Sequence, residues 1–215
     1  MAITLATGML VDIASTYGTS VNMTAVSKAA AAVATLAAGH SVVVGDFLEI
    51  TSGWDRLNGR IVRVSAVSTN DVTLENINSN LSIFPAGTGI GSIRRITAWT
   101  NVTQITSGIS VSGGEQQFAD ITTLTDRVQK QIPTVRSAVN VTLPLFDDPS
   151  LSWFGPVSAA SDTATATALR MVLPNNSRLV ANAYWSLQQV PTIEDSTLRG
   201  SISLSFVADP VRYNT

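Results

Sequence analysis

Between Arg136 and Phe146, strongly apolar residues recur at every second position. Val139, Val141, Leu143 and Leu145 share one face of an extended chain, and Ala138, Asn140 and Thr142 share the other. A repeat of two is what a strand needs when one side is buried and the other is wet, because successive side chains point to opposite faces. The pattern returns from Arg199 to Ala208, with Ile202, Leu204 and Phe206 inward and Ser201, Ser203 and Ser205 away from the core. It returns again at Leu179, Ala181, Ala183, Trp185 and Leu187, after the apolar run 169–173 and the turn signal Asn175-Asn176-Ser177, so 167–189 reads as a hairpin. The fold class is therefore mainly β, with antiparallel sheets.

One helix is expected. Asp147-Asp148-Pro149 offers an acidic N-cap and a proline for the first turn, and Leu151, Phe154, Val157 and Ser158 then fall on one side. The Ala/Thr run 159–168 fits more helix, a linker or a strand start. Residues 30–92 have shorter, closer strands at 33–36, 46–52, 60–67 and 71–75, separated by Gly- and Asn-rich turns, a spacing that suits a small closed barrel. This gives a main domain of 1–29 and 93–215 carrying an insert of 30–92, although one compact unit is also compatible with the length. The insert ends in Pro85-Ala86-Gly87-Thr88-Gly89-Ile90-Gly91, read as a flexible return. The segment 105–117 (ITSGISVSGGEQQ) lacks an apolar face and reads as an exposed arm.

Only 13% of the 215 residues are charged, about half the usual share for a soluble chain, and the net charge is −2. Ser, Thr and Asn must then supply the wet surface, and mutual repulsion between copies is weak, which favours self-association. Cysteine is absent and His40 is the single histidine, so disulfides, thiolate metal sites and histidine clusters are excluded. The start, MAITLATGML, lacks a basic n-region and a long apolar core, so the expectation is a chain made and kept in a cytoplasm.

Motifs that suggest chemistry fall short on inspection. Gly87-Thr88-Gly89-Ile90-Gly91 lacks the Gly-Lys-Ser/Thr ending of a phosphate loop and precedes a strand. The run 108–113 misses a nucleophile elbow by one residue. Asp147-Asp148 suits a cap better than an acid–base pair, and Arg94-Arg95 has no interleaved aromatics for nucleic acid. No enzyme, catalytic residue, cofactor or metal is expected.

Seven stretches, in order along nearly the whole chain, resemble the tail tube protein family of siphophages. They are Tyr17-Gly18 with Val26-Ser27, GDFLEITSGWDRLNGRIVRVSAV at 45–67, FPAGTGIGSIRRITAWT at 84–100, SGGEQQFAD at 112–120, QIPT at 131–134, Asp147-Asp148-Pro149 and PVRY at 210–213. The resemblance implies two packed antiparallel sheets flanked by a helix, with 45–92 similar to a small SH3-like barrel inserted on the exterior. It further implies a structural virion protein that forms stacked six-membered rings, the channel for genome ejection. Its implied partners are a tape-measure protein, tail-tip and tail-terminator proteins, and passing double-stranded DNA that is not gripped. The segment 152–156 departs from the regular helix expected of relatives.

A channel wall that releases DNA should lack the Lys and Arg that neutralise phosphates. Asn140, Thr142, Ser201, Ser203 and Ser205 are the lumen-lining candidates, with solvent or another sheet as the competing reading of those faces. Candidates for contacts between subunits or rings are Ser112, Gly113, Gly114, Glu115 and Gln116 in the arm, and Asp126, Arg127, Lys130 and Arg136, whose charges can equally be ordinary solvated surface. Two other functions stay open. A carbohydrate- or receptor-binding β-module would use an exposed Trp54, and a head–tail connector would share the Cys-free β-rich composition.

Overall fold

The computed structural model describes residues 7–214, and the reading of the first ten residues as leader-free falls mostly outside that span. Sixteen strands and one helix follow in order. They are β1 (Leu10–Tyr17), β2 (Val21–Val26), β3 (Val33–Leu36), β4 (Phe47–Ser52), β5 (Ile61–Ser68), β6 (Asp71–Leu74), β7 (Gly91–Asn101), β8 (Ser110–Ser112), β9 (Gln116–Asp120), β10 (Gln131–Arg136), β11 (Asn140–Phe146), α1 (Phe154–Asp162), β12 (Thr167–Val172), β13 (Arg178–Leu187), β14 (Thr192–Glu194), β15 (Thr197–Phe206) and β16 (Val211–Tyr213). Fourteen of the strands form one hydrogen-bonded sheet, twelve along a single path with β14 and β16 pairing beside it, and β9 and β10 form a separate ribbon.

Six strands close on themselves in the order β2-β3-β6-β5-β4-β7, with β2 pairing back onto β7 through Val21 and Ile93. Met23, Leu48, Ile50, Trp54, Val62 and Leu74 fill this barrel, each almost wholly buried. Closure demands close backbone approach at Gly91, where a Cβ would lie 2.0 Å from the Thr51 carbonyl oxygen. The return segment 85–91 packs closely against the barrel: the Trp54 indole N–H donates to the Pro85 carbonyl at 2.6 Å, and Gly89 abuts its ring. Trp54, expected to be exposed in the carbohydrate-binding reading, is 2% exposed and belongs to the core.

The long β7 leaves the barrel at its second half to pair with β1, and the sheet continues β1-β12-β13-β15-β11-β8. One face of it buries Ile13, Leu143, Leu169, Trp185, Ile202 and Leu204 beneath α1, which contributes Val157 and Ala160, and beneath Trp153 at the helix entry. The helix begins later than expected. Asp148 turns back onto the amide and hydroxyl of Ser150, at 3.0 and 2.6 Å, so its carboxylate closes a local turn instead of capping. The cap position is Trp153, without a side-chain hydrogen bond. Pro156 sits in the first turn, where its missing N–H costs no helical bond. The undecided run 159–168 divides into helix to Asp162, a turn with Ala164 at φ 48°, and strand from Thr167.

Barrel and main sheet meet across a third core of Ala14, Phe47, Ile61, Ala168, Val180 and Tyr213. Two phenols stitch this seam, Tyr213 buried and Tyr17 half-buried. The Tyr17 hydroxyl accepts the Ala168 N–H at 2.9 Å, and the Tyr213 hydroxyl accepts the Arg63 N–H at 2.8 Å. Burial pushes both phenols up to about 12 from 10, because the phenolate would be poorly solvated there. A group that prefers to stay protonated in the fold stabilises it fully below pH 10, and that contribution is lost as pH rises towards 12. The order of magnitude is ~2–3 kcal/mol per phenol. Melting temperature should therefore fall between pH 10 and 12, and Tyr213→Phe should flatten that fall. An unchanged slope in the variant would contradict the assignment.

Candidate functional site

Antiparallel pairing places the alternating polar residues of four strands on one surface. Asn140 faces Ser205, Thr142 faces Ser203 and Pro144 faces Ser201 across β11 and β15. Beyond β11, Ser112 faces Asn140 and Ser110 faces Thr142. Beyond β15, Tyr184 faces Ser205 and Ser186 faces Ser203. The five residues singled out from sequence are thus neighbours on a single face, opposite the one that packs under α1, and each is exposed or half-buried. Ser201 donates to the Gln188 side chain at 3.0 Å, so the surface is ordered by neutral hydrogen bonds.

Across β8, β11 and β15 the one charged residue on this face is Arg199, at one end, where it follows the same parity as Ser201; on β13, Arg178 shares the parity of Tyr184 and Ser186 at the end against the barrel. The Arg199 guanidinium pairs with Glu194 at 3.3 Å and lies 5.3 Å from the Phe146 ring centroid. An isolated, partly exposed pair of opposite charges projects little field beyond a Debye length of about 8 Å at physiological salt. The face is therefore wet and close to neutral.

Of the expected arm 105–117, only 113–117 leaves the main sheet. Residues 104–112 join the sheet edge: the Thr106 amide donates to the Pro144 carbonyl at 2.8 Å, Ile105 bridges Leu145, and β8 pairs with β11. Backbone groups make these bonds, so the polar side chains gave no sign of a strand. The structure's projecting element is the β9–β10 ribbon, 113–137, which departs at Gly113-Gly114, both in the left-handed region at φ 80° and 82°. A Cβ on Gly113 would lie 1.9 Å from the Ala138 carbonyl oxygen, so only glycine fits that departure point. Glu115 and Gln116 hold the base, the Gln116 amide donating to the Thr134 carbonyl at 3.1 Å.

Asp126 and Lys130 pair with each other at the tip, and the Asp126 carboxylate also accepts from Thr123. Those bonds, Lys130 first, hold its carboxyl below the ordinary range. Arg127 lies beside them, exposed. Arg136 lines a 390 Å³ groove where the ribbon base meets the barrel, facing the Arg56–Asp209 ion pair. Sequence reasoning missed the ribbon's apolar character: Phe118, Val128 and Val135 are well exposed and Leu124 fully so. Both its faces are open, so no alternation marks it.

A family model described as "Phage tail tube protein, TTP" matches residues 52–215. The chain belongs to the phage tail tube protein family. It is a structural component of phage tails, mainly β, with a closed six-stranded barrel, additional strands and one flanking helix. A chain in the cryo-EM structure of the anti-feeding prophage (AFP) baseplate, 6-fold symmetrised, is similar over 55% of this chain and 86% of that one. At 10% identity and a TM-score of 0.40, that likeness carries no argument about residues or assembly. No curated protein matches. Among the described residues of this tail tube family member no acidic or histidine cluster suits a metal ion, and no helix is long and apolar enough to cross a membrane.

Proposed function

We propose that this chain stacks as six-membered rings into the tube through which a phage genome passes, and that it acts structurally, not as an enzyme. The observation that carries the reading is the near-neutral polar face of β8, β11, β15 and β13 beside a free sheet edge at β8. Asn140, Thr142, Ser201, Ser203 and Ser205 line the channel, where hydroxyls and an amide hold water without neutralising phosphates. The ribbon 113–137 reaches the next ring, its apolar residues finding there the cover that they lack in one copy. Arg127 and Arg136 set register more than affinity, since exposed ion pairs contribute only ~0–1 kcal/mol.

Residues 30–92 form the greater part of an SH3-like unit on the tube exterior. The barrel packs on the Val180 end of β13 and the polar face opens at the Ser186 end of the same strand. A tape-measure protein would fill the lumen before DNA, and tail-tip and terminator proteins would cap the two ends. Assembly takes place in the bacterial host cytoplasm, and the product is the virion tail. Electron microscopy of purified protein seeded with tail-initiation complex tests this reading. Hollow filaments of regular ring spacing are expected; persistent single molecules at high concentration would refute it. Burial of Trp54 removes the aromatic platform on which a glycan-binding reading depended.

A further inference from the structure

Where this chain pairs charges, it pairs them singly. Arg63 holds Glu75, Arg94 holds Glu49, Arg95 holds Asp46 and Arg170 holds Asp12, each carboxylate serving one cation. Among the described residues Asp209 is the exception: its Oδ2 accepts from Arg60 at 3.2 Å and from Arg56 at 3.4 Å. Arg136 stands on the opposite wall of the same groove and enters no ion pair among the described residues. Three arginines therefore meet two carboxylates there, Asp209 and Asp55, and a positive charge is left over.

The groove continues at both ends. It shares Arg56 with a hollow of 250 Å³ lined by the exposed Leu81 and Ile83 and the buried Phe84. On the other side it shares Arg136, Val207 and Asp209 with a further hollow of 250 Å³, lined by Val139, Phe206 and Pro210. The three volumes form one furrow where barrel, ribbon base and main sheet meet. Along its length it reads apolar, basic, apolar.

We infer that this furrow takes an extended peptide of a partner protein, in which one or two carboxylates stand between large aliphatic side chains. The carboxylate accepts from Arg136 and Arg56. Arg60 stays on Asp209, because 17% of its side chain is exposed against 49% for Arg56. Hydrogen bonds between guanidinium and carboxylate are the strong, directional kind, and they fix the register of the peptide. Its aliphatic side chains cover Leu81 and Ile83 in one hollow and Val139 and Phe206 in the other. The Asn58 side-chain oxygen accepts the Ser52 N–H, which leaves its amino group for a peptide carbonyl. A uniform polyanion such as nucleic acid suits the furrow less well. Asp55 and Asp209 repel it between the arginines, and with Phe84 buried and Phe206 half-buried no ring stands out for a base to stack on. The furrow is complete within one copy, so the inference stands apart from the ring reading.

Fluorescence anisotropy of the full chain with a labelled peptide, Leu-Ser-Glu-Asp-Ser-Leu, tests the furrow. Saturable binding is expected. Arg136→Gln and Arg56→Gln should each weaken it about tenfold, the scale of one lost hydrogen bond between charged groups. Both side chains are exposed, so the variants keep the fold. The same peptide with Gln and Asn in place of its acids should lose affinity to a similar degree, and Leu81→Ser should weaken binding as well. Arg199→Gln, remote on β15, should bind like the unaltered chain. Amide shifts in NMR spectra on adding the peptide should concentrate at Ile83, Ala208 and Asp209. Absence of saturation, equal binding of the acidic and amide peptides, or unchanged binding by both arginine variants would overturn the inference. So would shifts centred on Ser201 and Ser203, or displacement by oligothymidylate as effective as by unlabelled peptide, which would mark a general anion surface.

Discussion

Alanine at Gly113 is expected to leave a folded monomer that no longer lengthens into tubes. The added methyl would sit 1.9 Å from the Ala138 carbonyl oxygen, and φ is 80°, so neither the neighbour nor the backbone tolerates it. The obstruction is a main-chain atom, which cannot swing aside as a side-chain end would. Relief comes from opening the contact between 113 and 138, where few bonds hold the ribbon: Gly114 to the Ser137 carbonyl at 3.1 Å and Ser137 to the Glu115 carbonyl at 3.0 Å. The ribbon's own ladder, from Gln131–Asp120 to Arg136–Gln116, survives, and so does the main core. What changes is where the ribbon points. A residue forced into such a conformation costs ~1–3 kcal/mol. Every 1.4 kcal/mol is about tenfold in an association constant, and the penalty repeats at each subunit added. Alanine at Gly155, on the helix and with nothing within 4 Å of its Cβ, is the control and should assemble normally. Circular dichroism checks the fold and negative-stain microscopy the tubes. Gly113→Ala tubes of ordinary length would show that the ribbon's exit angle is irrelevant to growth.

What could be read from sequence follows the way burial is encoded. Leu143, Leu145, Trp185, Ile202 and Leu204 alternate because one side of their strands is buried under α1, and the residues between them carried the polar face with them. The barrel was legible through its turns and short apolar runs, but of the strands that close it β2 lies wholly and β7 almost wholly outside 30–92, since closure is a pairing of distant segments and leaves no local pattern. The ribbon and edge strand were obscured for opposite reasons. Ile132, Thr134 and Phe118 belong to strands open on both sides, so nothing imposes alternation. Ser110–Ser112 is held by main-chain bonds to β11 that any side chain permits. Asp148 looked like a cap because an aspartate before proline suits a helix start. Its carboxylate closes the Ser150 turn instead, and hydrogen bonds to that serine hold its carboxyl below the ordinary range.

Removing the carboxylate of Asp12 should produce the largest loss of stability of any single polar change in the main sheet. Asp12 is 5% exposed on β1, and its oxygens accept from Arg170 on β12, at 2.8 and 2.9 Å, and from Asn101 on β7 at 2.9 Å. Three strands thus converge on one charge where the main sheet passes into the barrel. The Arg170 guanidinium also lies 4.5 Å from the Trp99 ring centroid, so it is held on one side by the carboxylate and on the other by the ring. Burial of such a pair gains little over an apolar pair of the same size, but breaking it strands the partner, at a cost of ~3–5 kcal/mol. Arg170 retains some solvent access, 22% of its side chain, so Asp12→Ala belongs near the lower end of that range. Asp12→Ala combined with Arg170→Met should cost less than the two single changes added together, because the stranded cation is gone. Urea unfolding of the three variants measures this. An Asp12→Ala loss below ~1 kcal/mol, the scale of an exposed ion pair, would show that solvent and not the sheet already carries the charge.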